Sequence, residues 1–103
     1  MRSIVVSMQN MLLSEAVART LAETGEFRVE QVLPGKTSDT FSLCRVMQAD
    51  ILLMEVSRLP AYTLENRLNL IACVRKVMPS CKFVLLCDEN VDCLLYTSDA
   101  ADD

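Results

Sequence analysis

Residues 50–56 read Asp-Ile-Leu-Leu-Met-Glu-Val, an apolar run with one acidic residue at its start and another near its end. An apolar run of this length without polar alternation is typical of a central strand buried on both faces of a parallel sheet. A second apolar run occupies 82–87, and a short β-branched run occupies 3–7. The sequence therefore predicts three strands that share one hydrophobic core.

A helix and an edge strand are predicted between the run at 3–7 and the run at 50–56. The helix has apolar residues at helical spacing and ends at about Thr24, because Gly25 stands where a left-handed helix end favours a residue without Cβ. The apolar positions that recur at this spacing are Leu13, Ala16, Val17 and Leu21. Residues 27–33 alternate between apolar and polar, as an edge strand partly open to water does.

Two further helices are predicted on either side of the central run. The first ends near Ala49, and the second begins after Thr63 and is closed by Pro79. Candidate N-caps for the first are Thr37, Ser38 and Asp39. The second carries an apolar stripe made of Leu64, Leu68, Ile71, Val74, Val77 and Met78.

Strands and helices alternate strictly along the predicted order, and this alternation decides the fold class. Crossover helices between consecutive strands favour right-handed parallel pairing, with helices on both faces of the sheet. The prediction is an α/β domain built as a three-layer open parallel sheet. In such sheets ligands bind beyond the carboxyl ends of the strands, so the loops after 3–7, 50–56 and 82–87 are the ones to inspect.

The composition limits the classes of function. A chain of 103 residues with 51% hydrophobic and 23% charged residues is expected to form one globular domain. Its net charge of −4 with scattered basic residues disfavours nucleic-acid binding, and no apolar run is long enough for a membrane span. Five cysteines without a Cys-x-x-Cys pair or any His predict buried free thiols in the cytoplasm, not zinc or a disulfide framework.

The end of the chain departs from this pattern. Residues 93–102 read Cys-Leu-Leu-Tyr-Thr-Ser-Asp-Ala-Ala-Asp, a string that resembles one reading frame of the transposon-end adapter used in sequencing libraries. We therefore interpret 1–92 as the domain and 93–103 as a non-native tail, with a genuine tail as the alternative. Without the three Asp residues of the tail, the formal charge changes from −4 to −1.

The domain resembles the receiver domain of response regulators, the phosphorylatable module of bacterial two-component signalling. The similar stretches are Ile-Val-Val at 4–6 leading to Met-Leu-Leu-Ser-Glu-Ala-Val at 11–17, Ala-Asp-Ile-Leu-Leu-Met-Glu at 49–55, and Cys-Lys-Phe-Val-Leu-Leu at 81–86. The resemblance implies a flavodoxin-like fold with strand order 2-1-3-4. It also implies that this receiver fold is truncated after its fourth strand, so that 1–92 lacks the C-terminal part.

The resemblance also implies a phosphorylation site, which this chain carries in altered form. In the family an acidic pair after the first strand holds Mg²⁺, an Asp ending the third strand accepts phosphoryl, and a Ser or Thr ends the fourth. The matching positions are Met8 and Gln9 for the acidic pair, Glu55 for the phospho-acceptor and Cys87 for the hydroxyl. Hard cations favour carboxylate oxygen, so neither a metal nor another cofactor is expected.

The function that follows is a degenerate receiver-like signalling module of phosphorelay type, without enzymatic activity. It would act through contacts with a protein partner, either a histidine kinase or a downstream signalling protein. The alternatives are an active receiver with slow phosphorylation and a small flavodoxin-like binding protein. Glu55 itself is interpreted as a solvated carboxylate or as a mimic of phosphorylated Asp.

Overall fold

Four parallel strands form one sheet within the described part of the chain, residues 1–33 and 39–87 of a computed structural model. The strands are β1 (Arg2–Ser7), β2 (Phe27–Val32), β3 (Ile51–Val56) and β4 (Lys82–Cys87), and the helices are α1 (Met11–Glu23), α2 (Thr40–Met47) and α3 (Leu64–Val77). The strand order is β2-β1-β3-β4, as predicted. The predicted boundary at residue 92, the tail 93–103 and the candidate caps Thr37 and Ser38 lie outside the described residues.

The helix ends follow the local signals in the sequence. The side chain of Asn10 accepts from the Leu13 amide at 3.0 Å at the start of α1, and Gly25 adopts a φ of 77° just beyond its end. Thr63 caps α3 by accepting from the Asn66 amide at 3.3 Å. Asp39 is the N-cap of α2, but its side chain makes no capping hydrogen bond.

The buried face of α1 differs from the prediction. Ser14 and Ala18 are the buried residues of the helix, whereas Leu13 and Ala16 are exposed. Small side chains allow the helix to lie close to the sheet, and the Ser14 hydroxyl donates to Oε1 of Gln31 in β2 at 2.9 Å. Val17 and Leu21 of the predicted stripe are partly buried and pack against the core, so the prediction holds for these two residues and fails for Leu13 and Ala16.

The core is divided between the two faces of the sheet. Helices α2 and α3 pack on one face, which we call the covered face, defined by Val5, Leu52, Met54 and Phe83. Helix α1 packs on the opposite face, where Ile4, Val6 and Met8 are buried. Because side chains alternate along a strand, Ile51, Leu53, Val84 and Leu86 also point to this second face, which we call the open face.

The fold class agrees with the prediction. The described residues form an α/β domain with an all-parallel sheet between two helical layers, the arrangement of a flavodoxin-like open sheet. Within the same residues, no helix combines the length and apolar character that a bilayer crossing needs. Strands β1 and β3 are central, so their carboxyl ends lie side by side in the middle of one edge.

Candidate functional site at the carboxyl edge of the sheet

Glu55 and the turn after β1 meet at the carboxyl edge. Oε1 of Glu55 accepts a hydrogen bond from the backbone amide of Gln9 at 2.7 Å and a second one from the amide of Asn10 at 3.2 Å. The parallel register places Ser7 beside Met54, which brings the end of β1 to the Glu55 side chain. The carboxylate is therefore bound by two backbone amides at a partly exposed position.

The two positions matched to an acidic pair have different surroundings. Met8 is 1% exposed and packs with Ile4 and Val6 on the open face, so its thioether belongs to the core. The side chain of Gln9 is exposed, and its contribution to the site is its backbone N–H. Within residues 1–33 and 39–87, no three acidic, Cys or His side chains come together in a group that could hold a metal ion.

Cys87 ends β4 next to Val56 and is exposed. This cysteine is therefore not one of the buried cysteines that the sequence predicts. Sulfur is a weaker hydrogen-bonding atom than the hydroxyl oxygen that the family has at this position. Cys44 and Cys81 are free and buried as predicted, whereas Cys73 is free and exposed.

Arg67 is the residue of this edge that the sequence analysis missed. It lies in the first turn of α3 and is 1% exposed. Its Nη2 donates to the carbonyl oxygen of Ser7 at 2.8 Å, its Nε donates to the carbonyl oxygen of Glu55 at 2.9 Å, and its Nη1 donates to the Ser7 hydroxyl at 3.2 Å. One guanidinium therefore contacts the ends of both central strands.

One aromatic ring and two hydroxyl groups complete the surroundings of the guanidinium. The ring of Tyr62 lies over it, with 4.7 Å from Cζ to the ring centroid, a distance that favours a cation–π interaction. The hydroxyl oxygens of Ser7 and Thr40 are 3.5 Å apart and buried, which extends the polar network to the first residue of α2. The network thus joins β1, β3, α2 and α3.

Burial lowers the pKa of Arg67 from its usual 12.5 to about 10, while the nearby Tyr62 and Glu55 act in the opposite direction. The guanidinium is therefore protonated at neutral pH. Burial also raises the pKa of the Tyr62 phenol, an effect that the charge on Arg67 opposes. At the carboxyl edge, the buried Arg67 cation thus lies on the covered face of the sheet. The Glu55 side chain lies on the open face.

A helical-spacing argument could have found Arg67. The residue stands four positions before Ile71 and seven before Val74, which are the other buried residues of α3. Positions with these spacings share one face of a helix. A basic residue on an apolar stripe signals a buried cation that needs acceptors, and the strand ends provide them.

No family model, no curated protein and no solved structure matches this chain.

Proposed function

We propose that the chain is a degenerate receiver-like signalling module of two-component type, which acts in the cytoplasm through protein contacts and is not phosphorylated. The observation that supports this most strongly is the environment of Glu55. Its carboxylate stands where the receiver resemblance places the phospho-acceptor, and it is bound by the amides of Gln9 and Asn10. The amides hold the anion through backbone donors, without the carboxylate ligands that a divalent cation favours.

The chemistry of the neighbouring positions also opposes phosphoryl transfer. That reaction depends on positioned charge stabilisation, which in receivers comes from Mg²⁺ on an acidic pair. Met8 cannot contribute an oxygen, and its side chain is buried in the core. Gln9 offers at most one neutral carbonyl oxygen. We expect a module with this edge to signal by binding a protein partner, without phosphoryl transfer.

Exposed apolar residues lie next to this edge. Leu12 is 84% exposed and Met11 is 57% exposed, both in the first turn of α1, immediately after the amides that bind Glu55. Leu59, in the loop between β3 and α3, is 46% exposed. Exposed apolar side chains favour protein contacts, and these three follow the ends of β1 and β3 along the chain.

The proposal is tested first with phosphoryl transfer. The full chain is incubated with acetyl phosphate and Mg²⁺, and its intact mass is measured. We expect no added phosphoryl group, with a conventional receiver domain as the positive control. Stoichiometric phosphorylation would overturn the proposal and favour an active receiver with slow turnover.

Partner binding is the second test. Wild-type chain, Leu12→Asp and Val46→Asp are titrated against a panel of purified dimerisation domains of sensor kinases. Val46 is 81% exposed on α2, away from Glu55, and serves as the matched control. We expect Leu12→Asp to weaken binding about tenfold or more, as the loss of an interface anchor does, and Val46→Asp to bind as wild type. Absence of binding across the panel, or equal loss in both variants, would contradict the proposed docking at this edge.

A further inference from the structure

The carbonyl groups at the ends of β1 and β3 share one donor side chain. Nη2 of Arg67 is 2.8 Å from the carbonyl oxygen of Ser7, and Nε is 2.9 Å from the carbonyl oxygen of Glu55. A guanidinium is planar and presents its donors in a fixed geometry, so it can bridge two acceptors held at a set separation. The bridge fixes the two strand ends relative to each other.

The guanidinium is held on several sides. Tyr62 covers one side of it, and the Ser7 hydroxyl, itself close to Thr40, accepts from Nη1. The position of Tyr62 is set by backbone hydrogen bonds, because its carbonyl accepts from Ser57 at 2.9 Å and its amide donates to Leu59 at 3.0 Å. The guanidinium is therefore held by three hydrogen bonds and by an aromatic ring.

The burial of this charge requires a physical reason. Removing a guanidinium from water is costly unless hydrogen bonds compensate, and an apolar side chain of similar length would avoid the cost. The three acceptors of Arg67 are all neutral oxygens, two carbonyl and one hydroxyl. Buried carbonyl oxygens also need donors, and Arg67 supplies donors to two at once.

We propose that Arg67 is the resident cation of the carboxyl edge, a positioning residue that joins the ends of β1 and β3 and so keeps the amides of Gln9 and Asn10 on Glu55 without a bound ion. The position of Gln9 depends on the end of β1, and the position of Glu55 depends on the end of β3. Fixing these ends therefore fixes the contact between them. This inference deepens the proposed function, because it gives the carboxyl edge a single conformation for a partner to bind. The signalling role of that conformation rests on the proposed function.

The experiment is amide hydrogen exchange by nuclear magnetic resonance on the full chain and its variants. In Arg67→Met we expect the amides of Gln9 and Asn10 to exchange about tenfold faster than in wild type, because each loses a fixed acceptor. The Ser3 amide is the internal control, since it donates to Oδ2 of Asp50 at 2.8 Å at the opposite edge. Its rate is expected to change less than about twofold.

Two further variants keep the test decisive. Arg19→Met removes an exposed arginine that pairs with Glu15 and should leave all of these rates unchanged. Arg67→Lys retains the charge with one donor nitrogen in place of three, so it should give a smaller acceleration at Gln9 and Asn10. If Arg67→Met does not fold, the selective acceleration in Arg67→Lys supports the proposal.

Several results would overturn it. One is a folded Arg67 variant with unchanged exchange at Gln9 and Asn10, and another is an acceleration that extends equally to Ser3. A saturable shift of the Gln9 and Asn10 signals on adding Mg²⁺ to wild type would show that the edge takes an ion after all. Phosphorylation of the chain, or lack of kinase-domain binding, would overturn the proposed function and leave these exchange results standing.

Discussion

The two faces of the sheet differ in how completely helices cover them. On the covered face, Leu52, Met54 and Val56 are fully buried beneath α2 and α3. On the open face, Val84 is 40% exposed and Leu86 is 36% exposed, because α1 packs near β1 and β2. Strands β3 and β4 therefore belong to a dense core on one side and to a partly solvated surface on the other.

This difference shows that the apolar character of a strand does not report how deeply each side chain is buried. Leu52 and Leu86 occupy neighbouring strands with the same residue type, yet only Leu52 is excluded from water. Hydrophobic stabilisation follows the apolar area removed from water, so the covered face should contribute most of the free energy of folding. The first two predictions below test that inference, and the third tests backbone strain in the loop before α3.

The largest effect is expected for Leu52→Ala. Removal of a fully buried leucine side chain leaves a cavity among α2 and α3 and should lower the free energy of unfolding by about 4 kcal/mol. Leu86→Ala is the matched control and should cost about 1 kcal/mol or less, since its side chain is already partly in water. Urea unfolding followed by circular dichroism measures both changes in the free energy of unfolding. Equal losses would show that Leu86 is as deeply buried as Leu52.

The second largest effect is expected at alkaline pH, which should lower the contribution of the covered face to the free energy of unfolding. Burial raises the pKa of the Cys44 thiol from 9.0 to about 12, with Cys81 adding to the shift, and raises that of Cys81 to about 11. A raised folded-state pKa means that stability is fully present below pH 9 and is lost as the pH rises towards the folded value. Above pH 9 the unfolded chain releases these protons and the folded chain retains them. By pH 11 the loss from this pair of thiols together should be about 3 kcal/mol.

Cysteine variants separate this effect from general alkaline damage. Cys44→Ala should be less stable at neutral pH but should lose less additional stability between pH 8 and pH 11 than wild type. Cys73→Ser, which removes an exposed free thiol, serves as the matched control. Urea unfolding at several pH values under reducing conditions gives the comparison, and an unchanged slope in Cys44→Ala would contradict the assignment.

The smallest effect is expected in the loop that places Tyr62 over Arg67. Ala61 has a φ of 73°, in the left-handed region that glycine adopts without strain. Ala61→Gly should therefore raise the free energy of unfolding by about 0.5 kcal/mol, because relief of strain exceeds the added chain entropy. Ala22→Gly, at an exposed position of α1, should lower it by about 1 kcal/mol. Opposite signs in thermal unfolding would confirm the strain, and a loss in both would refute it.

The fold was predictable because its signals are redundant. The apolar runs at 50–56 and 82–87 indicated strands, the helical spacing between them indicated crossovers, and Gly25 and Thr63 marked helix ends that the structure confirms. The order β2-β1-β3-β4 came from the family resemblance and is also confirmed. Each of these features depends on local pattern and chain topology, which a sequence displays directly.

The details of packing were less predictable. The burial of Ser14 in place of Leu13 depends on how closely α1 approaches β2, and residue hydrophobicity does not encode that distance. Charged residues are expected at the surface, so Arg67 was left out of the predicted stripe of α3. Its burial depends on two carbonyl acceptors that belong to strands far away in sequence.

The candidate site was predictable in position only. The strand-end rule located Glu55 at the carboxyl edge, but its actual donors are backbone amides, and every residue except proline has one. No residue type at positions 9 and 10 could have indicated that contact. The degenerate receiver function stays a prediction, supported by the chemistry of Met8, Gln9 and Glu55.

Asn10 takes part in two hydrogen bonds that link separate elements. Its amide donates to the Glu55 carboxylate at 3.2 Å, while its side chain accepts from Leu13 and caps α1. Fraying of the first turn of α1 should therefore weaken the contact between Asn10 and Glu55, and loss of that contact should loosen the start of the helix. The start of α1 and the end of β3 should therefore open cooperatively. A force or a ligand that acts on one of them should also affect the other.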